Sequence, residues 1–191
     1  MNRELAISLL FAVVGATVLT VVNYRKNDIH RRLYKAAKRG RLEKVKKLVK
    51  KGANVNYTNS KKRTPLYGAS YKGNADIVAY LLRLKDKDGK LLVDVNMVDE
   101  DQETPLHVAA DEGYYQVVQL LVKEGKINVN RRDVDGDTAL HEAADEGHLA
   151  IVKFLVENGA DPSIKNKKGR TPLDEAQDEK RQDVIKFLEG K

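Results

Sequence analysis

Apolar residues come along this chain in short paired bursts punctuated by glycine. Leu106, Val108, Ala109 and Ala110 precede Gly113, and Val117, Val118, Leu120, Leu121 and Val122 follow it and stop at Gly125. Within each burst the spacings of one, three and four residues put the apolar side chains on one face of a short helix. Glycine between bursts suits the left-handed backbone of a tight turn, so each pair predicts a helix, a turn and a second helix. The arrangement returns with Leu140, Ala143 and Ala144 before Gly147, and Ile151, Val152, Phe154 and Leu155 before Gly159. One run stands apart, because residues 5–22 carry no charge at all.

The polar positions repeat with the apolar ones. TPLHVAADEG (104–113) recurs as TALHEAADEG (138–147), with TPLYGASYKG (64–73) upstream, TPLDEAQDEK (171–180) downstream and a degenerate RLYKAAKRG at 32–40. A fixed period near thirty-four residues is the mark of a stacked-repeat solenoid. The motif and period closely resemble the ankyrin repeat family. That resemblance implies an all-α solenoid of stacked helix-turn-helix units with short β-hairpin tips, and a scaffold that binds other proteins. The units are 28–56 (an N-terminal cap repeat), 57–96, 97–130, 131–163 and 164–191 (a C-terminal cap repeat), preceded by a tail (1–4), a hydrophobic helix (5–22) and a basic linker (23–27).

The motif also reads mechanically. Thr104, Thr138 and Thr171 cap the helices that follow, and Pro105 and Pro172 suit a first turn whose N–H is free anyway. Leu66, Leu106, Leu140 and Leu173 share one core position, and paired alanines let neighbouring units approach closely. Asp28 is expected to cap the first helix, which Gly40 closes. Gly136 and Gly169 supply a left-handed residue at two hairpin tips. Lys62 and Gln102 stand at the matching places in the second and third repeats, where less regular tips are expected. The second repeat carries a surplus of charge and turn residues, Lys85 to Gly89, expected to project as a surface loop.

Composition first limits chemistry. The chain has no cysteine, which removes disulfides, thiolate metal sites and a cysteine nucleophile. His107 and His141 hold one position in successive repeats, and stacked helices about 8–10 Å apart do not bring two imidazoles to zinc bonds of about 2.0–2.1 Å. By the resemblance these histidines are structural, tying their turn to a neighbouring loop. The run 133–137 looks briefly like a calcium loop, but its glycine comes fourth rather than sixth and its twelfth position is Ala144. No phosphate loop, metal cluster or nucleophile with a nearby base is legible, so no enzyme, no cofactor, no metal and no small-molecule substrate is expected.

Charge then divides the molecule. From Arg25 to Arg63 sixteen Lys/Arg stand against two acids, a local +14, whereas residues 64–191 carry −7. A helix over 5–22 would span roughly 27 Å, close to the apolar core of a bilayer. A single-pass anchor is the first reading; a cleaved signal peptide, with Val14, Gly15 and Ala16 as the small residues, is the alternative and would make the protein periplasmic or secreted. Basic residues follow the segment, which predicts repeats on the cytoplasmic side. Asn56-Tyr57-Thr58 is the one glycosylation acceptor that would report the opposite topology. Arg25, Lys26, Arg31, Arg32 and Lys35 are candidates for anionic lipid headgroups. Nucleic acid is not expected, since few aromatic rings accompany the charge.

By the resemblance, partners bind at the exposed ends of the first helices and at the hairpin tips. The helix-end residues are Lys38, Arg39, Tyr71, Lys72, Asp111, Glu112, Asp145 and Glu146, running from positive to negative. The tip residues are Lys61, Lys62, Glu100, Asp101, Val134, Asp135, Lys167 and Lys168. The sequence therefore predicts a membrane-tethered adaptor whose acidic groove accepts a protein with a basic segment.

Overall fold

The computed structural model describes residues 28–190. Helices run over residues 28–38 (α1), Leu42–Lys50 (α2), Pro65–Ser70 (α3), Ala75–Leu82 (α4), Pro105–Asp111 (α5), Tyr115–Lys123 (α6), Ala139–Asp145 (α7), Leu149–Glu157 (α8), Pro172–Asp178 (α9) and Gln182–Leu188 (α10). α3, α5, α7 and α9 pack in succession as one layer, and α2, α4, α6, α8 and α10 as a second. The array is the predicted all-α solenoid.

Threonine sets where the inner helices begin. Thr64 Oγ1 accepts from Tyr67 N at 3.0 Å, Thr104 Oγ1 from Leu106 N at 3.2 Å and Thr171 Oγ1 from Asp174 N at 3.3 Å. Each bond satisfies a donor that the first turn leaves free. Leu33, Leu66, Leu106 and Leu140 are fully buried, and Ala69, Ala109, Ala110, Ala143, Ala144 and Ala176 exclude water between the layers. Leu173 is only half-buried, because no repeat follows it among the described residues. On α3 the close approach is closer still: a Cβ on Gly68 would lie 3.1 Å from the Tyr34 ring of α1.

The tips are turns without strands. Asn59, Asp99, Asp133 and Asn166 each accept on Oδ1 from two backbone N–H groups further along the turn, as at Asp133 from Asp135 (2.9 Å) and Asp137 (2.8 Å). Successive tips are joined by backbone bonds, Glu100 N to Lys61 O (3.3 Å), Val134 N to Asp101 O (2.9 Å) and Lys167 N to Asp135 O (2.9 Å). Among the described residues the one β-bridge is Lys85 to Leu91, which closes the insertion as a projecting hairpin.

Two expectations are corrected. Lys62 and Gln102 do not give irregular tips: both take the left-handed backbone (φ 56° and 62°) that Gly136 and Gly169 take at 84° and 78°. The turn's side-chain and cross-tip hydrogen bonds hold the shape against a steric cost of roughly 1–2 kcal/mol per residue. Asp28 does not cap α1; it is already helical and lies 3.5 Å from Arg32 one turn on. No helix among the described residues is long and apolar enough to cross a membrane. The predicted span 5–22, the tail 1–4 and the linker 23–27 with Arg25 and Lys26 lie outside them.

Candidate functional site

The predicted helix-end residues fall into one row because at three of the four junctions a repeat grips a backbone carbonyl of the one before it, while at the fourth the Tyr114 ring lies against Gly73. Asn74 Nδ2 donates to Ala37 O at 2.9 Å, His148 Nε2 to Asp111 O at 2.9 Å and Arg181 Nε to Asp145 O at 2.6 Å. These bonds occupy the carbonyls that end α1, α5 and α7 and leave the side chains free to face outward. At the positive end of the row the Lys38 and Lys72 ammonium groups lie 5.4 and 4.1 Å from the centroid of the Tyr71 ring. Arg39, Lys72, Glu112 and Glu146 are exposed, and Lys38, Tyr71, Asp111 and Asp145 are half-buried.

Neutralisation is uneven along this row. Glu146 lies 3.7 Å from Arg181, and Asp178 is paired with Arg170. Among the described residues the Asp111, Glu112 and Asp145 carboxylates make no ion pair. Burial raises the Asp111 carboxyl above the usual range, with Glu146 and Glu112 adding to it. Asp145 is raised by burial and then by Glu175, Glu179 and Glu146, with the Arg181 guanidinium working against the rise.

Beneath them stands Glu142, which sequence reading did not single out. It occupies the place on α7 that Gly68, Val108 and Glu175 hold on the other inner helices. Burial pushes its carboxyl up to about 8, and Asp111, Asp133, Asp137 and Glu103 push the same way. Among the described residues its carboxylate makes no hydrogen bond or ion pair. Glu175, by contrast, accepts from Asn166 Nδ2 at 2.7 Å and lies 3.2 Å from Arg170 Nε. A cleft of about 310 Å³ opens here between tips and helices, lined in part by Asp137, Glu142, Asp145, Lys168 and Arg170. The motif of one repeat does not mark Glu142, because Asp111 and Glu103, which act on it together with Asp133 and Asp137 of its own repeat, belong to the repeat before.

All eight predicted tip residues, Lys61, Lys62, Glu100, Asp101, Val134, Asp135, Lys167 and Lys168, are exposed. Their acidic neighbour Asp99 is not: it is 1% exposed, and its Oδ2 accepts from Arg63 Nε at 2.8 Å. Asp99, Asp101 and Glu103 bring carboxylate oxygens within 4.8 Å of one another. Arg63, two backbone N–H groups and the Tyr67 hydroxyl, which donates to Glu103 at 2.7 Å, account for that cluster as structure.

The two repeated histidines are held by hydrogen bonds within their turn and to a neighbouring loop. His107 Nδ1 accepts from Thr104 N at 3.2 Å, so the proton sits on Nε2, which donates to Asp137 O at 3.2 Å. His141 repeats this with Thr138 N (3.1 Å) and Arg170 O (3.2 Å). Burial lowers the His107 pKa to about 4 and lowers that of His141 as well. Tyr67 and Asp174 divide the role where histidine is missing. Tyr67 reaches across to Glu103, and Asp174 closes the capping box with Thr171 N at 2.7 Å. His148, isolated in sequence, proves to be one of the inter-repeat bonds described above.

Comparison with known proteins agrees with this architecture. The family profile described as ankyrin repeats in three copies matches residues 16–90, 33–133, 87–166 and 128–190. Delta-latroinsectotoxin-Lt1a of Latrodectus tredecimguttatus is 33% identical over 102 residues, which is 51% of this chain and 8% of that protein. Ankyrin repeat and SOCS box protein 3 of Homo sapiens is 35% identical over 90 residues, 47% of this chain and 17% of that protein. A transient receptor potential cation channel subfamily A member 1 homolog of Caenorhabditis elegans is 48% identical over 44 residues, 23% of this chain and 4% of that protein. The chain thus spans less than a fifth of the length of each of these relatives.

Proposed function

The chain belongs to the ankyrin repeat family, and we propose that it is a membrane-tethered adaptor whose groove holds a protein partner through a basic segment. Ankyrin repeats indicate a protein–protein interaction module; the tether and the charge of the partner are our reading. The observation that carries it is the acid of the groove that makes no ion pair among the described residues, Asp111, Glu112 and Asp145 over the half-buried Glu142. An arginine or lysine entering there replaces mutual repulsion by attraction and draws the Glu142 proton off. Charge of this kind steers encounter and sets orientation, while shape and the exposed tips supply the remaining selection. Residues 5–22 are the proposed anchor, with the repeats on the cytoplasmic side.

The test is capture from cells with the full chain and with a quadruple variant carrying Asp111→Lys, Glu112→Lys, Asp145→Lys and Glu146→Lys. Partners held by the groove are lost from the variant. Retention of every partner would show that the groove is not the binding surface. Mass spectrometry of the carbonate-washed membrane fraction tests the tether, which predicts a membrane species still carrying residues 5–22. A soluble species beginning near Thr17 would instead mean a cleaved signal.

A further inference from the structure

The N-terminal end of the solenoid carries a feature that neither the groove nor the capping of the array accounts for. In the four later repeats one position of the outer helix is filled by Ile77, Val117, Ile151 and Val184, each 1% exposed or less. A second is filled by Tyr80, Leu120, Phe154 and Phe187. Val184 is buried although no repeat follows it among the described residues, so this position faces the preceding repeat. On α2 the two places are taken by Lys44 and Lys47, both exposed. With Lys51 they form a stripe at spacings of three and four residues along one side of α2. They border an open depression of about 790 Å³ whose other lining residues are Asp28, Ile29, Arg32, Glu43 and Leu48.

The charge of that depression is one-sided. Asp28 lies 3.5 Å from Arg32, and Glu43 is paired with Lys46 at 2.7 Å. Both acids are therefore answered, whereas among the described residues Lys44, Lys47 and Lys51 have no ion pair. An end cap needs polarity but not a single sign. The opposite end shows the ordinary solution, with Gln182, Asp183, Lys186 and Glu189 mixed on α10 and just after it.

We propose that this end face is a docking surface for the headgroups of anionic phospholipid, with Lys44, Lys47 and Lys51 as the principal contacts and Arg32 beside them. The charge is complementary, and the place is right: the uncharged run 5–22 stops at Val22, and residues 23–27 alone separate it from the first turn of α1, which borders the depression. A linker of that length reaches at most about 20 Å, so a chain anchored through 5–22 keeps this face near the bilayer. The inference rests on the tethered reading and adds an orientation to it: the first repeat lies against the membrane and the acidic groove of the third and fourth repeats extends away from it.

The full chain has no cysteine, so Lys50→Cys supplies a single labelling site next to the stripe. The labelled protein is reconstituted with phosphatidylcholine vesicles and with phosphatidylserine-containing vesicles, each carrying a headgroup quencher, and its flotation after a carbonate wash is scored separately. The expected result is quenching that requires phosphatidylserine, fades at high salt and is lost when Lys44, Lys47 and Lys51 are changed to glutamate, with flotation unchanged. At about one decade of affinity for every 1.4 kcal/mol and about 1 kcal/mol per basic residue, loss of the three charges alone lowers apposition roughly a hundredfold. Quenching indifferent to phosphatidylserine or to the three lysines overturns the end-face proposal whatever the flotation shows. So does binding to added RNA with no preference for phosphatidylserine. Failure to float, with salt-sensitive and lysine-dependent binding to phosphatidylserine vesicles, overturns the tether and sustains the end face.

Discussion

Glu142 is where a single atom change reads the electrostatics of the groove. Replacing it with glutamine keeps shape and removes the ionisation. Its carboxyl is raised from 4.5 to about 8 by burial and by Asp111, Asp133, Asp137 and Glu103. The folded state therefore holds the proton more tightly than the unfolded state does. The associated stability is present in full below about pH 4.5 and is lost as pH rises through about 8. Between pH 4.5 and pH 7 the unfolded chain ionises while the folded one does not, and at about 1.4 kcal/mol per pH unit the loss reaches about 3 kcal/mol as an upper limit. Glu142→Gln removes that loss, so the variant is more stable than the wild type at pH 7 and equal to it near pH 4. Other groups also titrate: Asp111 and Asp145 are raised, and His107 resists protonation down to about 4 and so costs stability in acid. Lys168 and Arg170 line the same cleft. The measurement is accordingly the difference between variant and wild type, from urea midpoints of the full chain in detergent across pH 4 to 8. Parallel curves with a constant gap would refute the reasoning, since a purely steric effect does not depend on pH.

Three further outcomes are expected. Gln102→Gly relieves a left-handed non-glycine residue and raises stability by up to about 1 kcal/mol once the extra freedom of the unfolded chain is deducted; a lower urea midpoint than wild type would mean that the Gln102 side chain holds the tip. Ser70 Oγ is buried without a hydrogen bond in the place where the next repeats carry Ala110 and Ala144, so Ser70→Ala stabilises by roughly 1 kcal/mol, and thermal melts showing the reverse would reveal a partner for the hydroxyl. Asn56 is a poor reporter of topology, because its Nδ2 donates to Leu92 O at 2.8 Å and its Oδ1 accepts from Asp94 N at 2.9 Å. The pair Asp88→Asn and Lys90→Thr places an acceptor on the exposed insertion instead; glycan there in a eukaryotic host would reverse the proposed cytoplasmic orientation.

Much of the fold was legible because its causes are local and repeated. A threonine before proline and leucine, a glycine between helices and an alanine pair act within one repeat, and the period displays the same act several times. Where a position departs from the motif, the single repeat no longer suffices. Lys62 and Gln102 lack the glycine that signals a left-handed residue, yet bonds within the turn and from neighbouring tips impose one. Tyr67 in place of histidine hid a contact that depends on Glu103 in the next repeat. His148 offered no pattern of its own, because its partner is a backbone carbonyl in the repeat before.

The sequence by itself determined the repeat, the helices and their threonine caps, since each follows from side chains acting on their own or adjacent backbone, and its composition alone gave the split between a basic beginning and an acidic body. Only the tertiary structure decided which charges matter. It paired Glu146 with Arg181 and Asp178 with Arg170, withdrew Asp99 into the interior, set four acids from three segments around Glu142, and left Lys44, Lys47 and Lys51 unanswered at the end of the stack. The physical reason is range: a hydrogen bond or a cap reaches a few residues along the chain, while a charge takes its energy from whatever the fold sets around it, and stacking repeats makes neighbours of residues some thirty-four positions apart.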